Sequence, residues 1–218
     1  MQTKPSAKQA GFTLVEISIV LVIIGLLIGG VLKGQELINS AKVKSLAQDF
    51  RNIQTIIYAY QDKFRALPGD DIQAASHVCP SGTPACTTNG DADGIIEGAW
   101  DDAATANAES IRFWQHVRFA NLASGPTDTA SDSFLPTNST GGRIGIQSAG
   151  AAAPLGVTGS YAICSAGIPG KLIRQLDSTL DDGDPSTGPV RAGLTTTGAA
   201  VSATNIDDAA TYVACMGF

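Results

Sequence analysis

Basic side chains are scarce in this chain: its 218 residues hold 14 Lys and Arg against 20 Asp and Glu, a formal charge of −6. Nucleic-acid phosphates need clustered Lys and Arg, so the overall charge speaks against a nucleic-acid partner, and Lys171, Arg174 and Arg191 are too few to reverse it. Histidine is scarcer still, with two residues. His77 and His116 show no zinc spacing, and the cysteines form no paired C-x-x-C motifs, so no pattern for a zinc site is present. His116 lies beside Trp114, Arg118 and Phe119, with no acid or nucleophile at a motif spacing, and reads as structural. The chain has no G-x-S-x-G elbow, H-E-x-x-H helix or phosphate loop on which to base an enzymatic reading. Charge of either sign is thin, at 16% of residues, and it is thinnest near the N-terminus.

From Phe12 to Leu32 the 21 residues carry one charge, Glu16. At 1.5 Å rise per residue a helix of that length spans about 32 Å, enough to cross a bilayer. A carboxylate in such a segment costs roughly 2.5 kcal/mol or more on insertion, so Glu16 calls for a positive partner. A new amino terminus created by a cut between Gly11 and Phe12 would supply one, offered by a neighbouring chain staggered along a filament. An ordinary secretory signal has a 7 to 15 residue apolar core and a small-x-small cleavage site, and this run is too long and contains the wrong charge.

These residues resemble the type IV pilin superfamily, which includes pilus subunits and type II secretion pseudopilins. Residues 1–11, with Lys4 and Lys8, match its short basic leader; Gly11 precedes the cut, Phe12 follows it, and Glu16 stands four residues after that Phe. The resemblance implies cleavage and N-methylation by a prepilin peptidase, with Phe12 the methylated residue and Glu16 an assembly residue. It covers about the first 35 residues. Many pilins have a proline near the position of Lys33; here Gly25, Gly29, Gly30 and Gly34 loosen the same stretch, each costing about 1 kcal/mol against Ala, and Gly25-x-x-x-Gly29 and Gly30-x-x-x-Gly34 offer close-packing faces.

Beyond Lys33 the pattern turns amphipathic. Leu37, Ala41, Leu46, Phe50, Ile53, Ile57, Tyr60 and Phe64 recur at mostly three- and four-residue steps with charges between them. One helix therefore runs over 12–66, membrane-spanning over 12–32, and stops at Leu67-Pro68-Gly69, where Pro removes a donor and Gly allows the turn. Residues 67–218 remain for one globular head. A helix is expected from Ala108 to Ala123, ended by Gly125-Pro126, and a shorter one from Lys171 to Leu180. Strands are expected over Arg143 to Gln147, Val157 to Cys164, Val190 to Leu194 and Tyr212 to Cys215. The fold class is α+β: a long N-terminal helix packed on a C-terminal antiparallel β-sheet head, the lollipop of the resembled family.

Four cysteines in a head placed outside the cytoplasm point to disulfides. Three pairings are open. Local pairing would join Cys79 to Cys86 and Cys164 to Cys215, contributing roughly 2.5 and 4 kcal/mol through loop-closure entropy. The second would tie down the C-terminal region, as a C-terminal loop disulfide does in many pilins. Asn89, Asp91 and Asp93 place oxygens at alternate positions before Gly94 and Ile95, the first half of an EF-hand-like calcium loop. The position of the bidentate Glu holds Trp100, so the missing oxygens would come from Glu97, Asp101 or Asp102, with the Ile95 carbonyl as a further ligand. The alternative is plain turn chemistry. Asp181-Asp182-Gly183-Asp184 reads as a helix stop and solvated turn, with a cation site as the alternative, and the stretch from Asp182 to Arg191 resembles a recurrent one in large pilin-like proteins, with no chemistry assigned to it.

The expected function is a structural subunit of a type IV pilus or related filament. The alternatives are a type II secretion pseudopilin and, in a different class, a membrane-anchored calcium-dependent binding protein. The implied partners are copies of the chain, other pilins and the prepilin peptidase. The implied location is the bacterial inner membrane, single pass with the head periplasmic, and then the pilus or pseudopilus. Loss of Lys4 and Lys8 with the leader takes the formal charge from −6 to −8.

Overall fold

The computed structural model describes residues 11–80, 88–150 and 153–218. Helix α1 runs unbroken from Leu14 to Phe64, and the chain divides into two compact units between Ser40 and Ala41. In the first unit α1 is apolar and exposed all round: Leu14, Leu21, Leu26 and Leu32 are each more than 60% exposed. It is long and apolar enough to cross a membrane.

In the second unit the same helix buries one face. Val43, Leu46, Ala47, Phe50, Ile53, Ile57 and Tyr60 are buried at the three- and four-residue steps that keep side chains on one side of a helix. The expected face began earlier, at Leu37 and Ala41, but both are exposed. Periodicity alone cannot tell an apolar residue facing a core from one left outside it. α1 stops with Arg65 in the left-handed region (φ +57°), and its N–H still bonds back to the Gln61 carbonyl at 2.9 Å, so the chain turns before Pro68 and Gly69 are reached.

The head adds α2 (Ala74–Val78), α3 (Glu109–Phe119) and α4 (Gly170–Leu180) to a four-stranded sheet of β1 (Ile144–Ser148), β2 (Tyr161–Pro169), β3 (Val190–Gly193) and β4 (Thr211–Gly217). The sheet order is β1-β2-β4-β3, and every pairing is antiparallel. This is the α+β layout expected of the chain. One sheet face and α1, α3 and α4 enclose the main core, which includes Phe50, Ile57, Phe113, Ile146, Ile163, Leu172 and Ala214. Because side chains alternate across a strand, Ala162, Cys164 and Cys215 point the other way, into a smaller cluster with Trp100, Leu155 and Val157.

Boundaries moved where turn chemistry intervened. β2 begins at Tyr161 instead of Val157, because Val157 follows a short 3₁₀ turn over Pro154–Gly156 and Gly159, at φ +135°, backs directly onto Phe218. The strand then continues past Cys164 through a bulge between Ser165 and Ile168, which Gly167 accommodates at φ +67°. α3 ends at Phe119, four residues short of the expected end, with Asn121 left-handed at φ +60°. The five-residue α2 was not anticipated.

Candidate functional site

The N-terminal motif is built on the first turn of α1. Thr13 precedes the helix, and its backbone N–H and hydroxyl both donate to Glu16 Oε2, at 2.9 and 2.7 Å. The Glu16 N–H donates back to Thr13 Oγ1 at 3.3 Å. This is a reciprocal capping box, which satisfies donors that a helix start otherwise leaves open. Glu16 therefore has local partners within its own chain, in the Thr-x-x-Glu pattern that is the sequence signature of this cap. Phe12 is 84% exposed. A Cβ built on Gly25, Gly29, Gly30 or Gly34 would meet nothing within 4 Å, so their surfaces are open to a second helix. Gly11 is exposed at the start of the described chain.

The acidic loop is a second cluster. Asp91, Asp93 and Glu97 bring one oxygen each within 4.8 Å of one another, all on exposed residues. Asx turns shape it: the Asp93 N–H donates to Asp91 Oδ1 at 3.3 Å and the Ile95 N–H to Asp93 Oδ1 at 2.8 Å. Ala92 and Gly94 are both left-handed. A second group shares Asp91 and reaches outside the loop, gathering Asp70, Asp91 and Glu109 within the same distance. Asp70 and Glu109 are buried, at 4% and 2% exposure.

The two buried carboxylates were missed by sequence reasoning, because one lies before α2 and the other opens α3. Gly90 allows the approach, since a Cβ there would collide with the Asp70 backbone. Asp70 accepts the Gly94 and Asp93 N–H groups at 2.8 and 3.2 Å. Glu109 has Arg112 Nη1 3.7 Å away. Burial, ahead of the neighbouring Asp70 and Asp91 charges, pushes the Glu109 carboxyl up to about 7, and burial also raises Asp70.

Other expected ligands are placed differently. The Asn89 side-chain oxygen accepts the Ala75 N–H at 2.9 Å, and Asp102 Oδ2 accepts the Ala99 N–H at 2.9 Å. Asp101 and Asp102 belong to neither carboxylate group among the described residues. The remaining donors are all oxygens, which suits a hard cation such as calcium.

His116 is fully buried and occupied at both nitrogens: Nδ1 accepts the Gly69 N–H at 3.0 Å, and Nε2 donates to the Thr88 carbonyl at 2.9 Å. Burial, the dominant cause, pushes it down to about 4. It ties the turn after α1 to α3, as a structural histidine does. His77 Nδ1 and the Tyr60 hydroxyl both bond to Asp71 Oδ2, at 2.7 and 2.8 Å, closing a network around a buried carboxylate. Cys164 and Cys215 stand directly opposite on β2 and β4 and form a disulfide with Cα atoms 4.1 Å apart. Cys79 is also disulfide-bonded; its expected partner Cys86 lies outside the described residues.

Residues 6–32 match the family model described as the prokaryotic N-terminal methylation motif. The chain thus carries the N-terminal signal of type IV pilin- and pseudopilin-type prepilins, and the match covers the residues that build the capped helix start and its apolar first half. No curated protein and no solved structure matches the chain.

Proposed function

We propose that the chain is a structural subunit of a type IV pilus or related filament, cut after Gly11, methylated on Phe12 and assembled through the first half of α1. The observation that carries this reading is the coincidence of the methylation motif at 6–32 with an exposed, apolar stretch of α1 up to Leu32 whose single carboxylate, Glu16, sits in the first turn. Cleavage leaves 207 of the 218 residues and a free amine that a neighbouring Glu16 can meet. Until assembly the helix anchors the chain in the inner membrane with the head in the periplasm.

N-terminal mass spectrometry of the protein from cells containing the peptidase should find N-methyl-Phe12 at the start. Intact Met1, or a cut after Ala10, would end the reading. Glu16→Val should be cleaved and inserted yet poorly incorporated into sheared filaments, and normal incorporation would remove the assembly role from Glu16. The filament's other components, secretion-type or retraction-type, separate a pseudopilus from a pilus.

We propose in addition that the 91–97 loop takes calcium. Asp91, Asp93 and Glu97 would be the exposed ligands, the Ile95 carbonyl a further one, and Asp70 and Glu109 the buried carboxylates whose charge the ion offsets. The supporting observation is that the fold gathers both carboxylate groups around Asp91. At a hundredfold excess over Kd, binding to the native state adds about 2.7 kcal/mol. The full chain in detergent should melt higher in calcium than in chelator, and Asp91→Ala with Asp93→Ala should abolish the difference. An identical melt with and without calcium would reduce the loop to a turn.

A further inference from the structure

Asp177 is 1% exposed in the last turn of α4. Its Oδ2 accepts the Gly183 N–H at 2.7 Å, while Oδ1 is buried with no hydrogen-bond partner. Such an oxygen is costly when the carboxylate is charged and much less so when it is neutral. The loop that follows α4 brings three more aspartates, Asp181, Asp182 and Asp184, and among the described residues no ion pair reaches any of the four. The basic groups of this region are engaged elsewhere: Arg51 of α1 donates to the Thr179 carbonyl, Arg174 pairs with Asp208, and Arg191 of β3 donates to the Gly156 and Gly188 carbonyls. The Tyr212 hydroxyl of β4 accepts the Asp207 N–H.

The same loop is stitched to the sheet. Pro185 and Pro189 carbonyls accept the Ala192 and Gly217 N–H groups, each at 2.9 Å. Asp184 Oδ1 accepts the Ala203 N–H, and Asp181 Oδ2 the Val190 N–H. Gly188 takes a left-handed φ of +67° where the chain passes the Asp181 carboxylate. The state of Asp177 therefore bears on how firmly β3 is held at the sheet edge.

We propose that the loop over 181–190 is a proton-operated latch, closed on α4 and β3 while Asp177 carries a proton and loosened once Asp177 is ionised among Asp181, Asp182 and Asp184. Burial pushes the Asp177 carboxyl up to about 6 against the opposing Gly183 hydrogen bond, and those three charges add to the rise. A carboxyl raised in the closed state contributes stability that is complete below the ordinary value of 3.8 and is lost as pH rises through about 6. The latch thus works oppositely to a salt-bridged aspartate, loosening toward neutral pH.

The test is amide hydrogen exchange on the full chain in detergent, read at Gly183 and Val190 and corrected for the intrinsic pH dependence of exchange. Protection should fall roughly tenfold between pH 5 and pH 7.5. Asp177→Asn should be flat over that range and at least as protected at pH 7.5 as the natural chain. Protection independent of pH in the natural chain, or an equal fall in Asp177→Asn, would overturn the proposal. Should Asp177→Asn fail to fold, Asp182→Asn, which removes one repelling charge from an exposed part of the loop, decides: a smaller fall supports the latch and an undiminished one overturns it.

Discussion

α1 is one helix with two ways of using apolar residues. Between Val43 and Tyr60 they form a stripe that is buried against the rest of the head, with Leu46, Ile57 and Tyr60 fully enclosed. Between Leu14 and Leu32 they surround the helix and stay exposed among the described residues. The polar groups divide in the same way. His116 in the head is satisfied by Gly69 and Thr88, 47 and 28 residues distant, whereas Glu16 is satisfied by Thr13, three residues away. A segment whose polar groups are satisfied within its own first turn is suited to lipid or to identical neighbours, since neither offers tailored polar partners.

The largest expected effect would break this comparison if it failed. Phe50→Ala should destabilise the head by about 3–5 kcal/mol, the range for a buried aromatic truncated to Ala, while Leu21→Ala should leave head unfolding in detergent within about 0.5 kcal/mol of the natural chain. Equal effects in chemical denaturation would mean that the two halves are not energetically distinct.

The next sharpens it through pH. His116 is held down to about 4 against an ordinary 6.5, so the unfolded chain binds the extra proton. Its contribution is complete above 6.5 and is lost as pH falls toward 4, in total about 3 kcal/mol. Glu109 and Asp177, both raised, act in the opposite sense, so the signature is a difference: His116→Gln should weaken the head at pH 7 and remove this component of the acid decline. Far-ultraviolet circular dichroism should show the head's transition moving with pH while the helix over 14–32 persists in detergent.

The smallest concerns the helix start. Thr13→Val removes the hydroxyl from the capping box at a cost of about 1 kcal/mol, and Thr13→Ser should restore it. Hydrogen exchange at the Glu16 amide, which Thr13 Oγ1 accepts, should quicken in the Val variant alone. No change there would show that the box contributes nothing to holding Glu16.

What was legible in the sequence follows the range of the interactions. The apolar run, the helix beyond it and the alternating oxygens at Asp91 and Asp93 are local patterns, and the structure retains them. Asp70 and Glu109 carry no such sign: each looks like an ordinary acid beside a turn or a helix start, and only the tertiary fold brings them to Asp91. The edges of β2 were misread for a related reason. Val157 has a strand former's side chain, but Gly159 and the approach of Phe218 decide where pairing begins, and Gly167 lets the strand survive a bulge that would otherwise end it. Cys164 and Cys215 were one of three possible pairings, and their direct opposition on β2 and β4 selects it.

The sheet order also sets a timetable. β4 comes last of the four strands along the chain, yet it is an inner strand, hydrogen-bonded to β2 on one side and β3 on the other. During synthesis β1 and β2 can close as a local pair, but β3 has no neighbour in the sheet until Thr211–Gly217 has emerged. At about 5–20 residues per second, the interval between the emergence of β2 and of β4 lasts a few seconds, during which the inner edge of β2 stays unpaired. A chain caught in that interval presents the unpaired inner edge of β2 as a template for mispairing, so the last strand to be made is the one that removes the aggregation-prone edge.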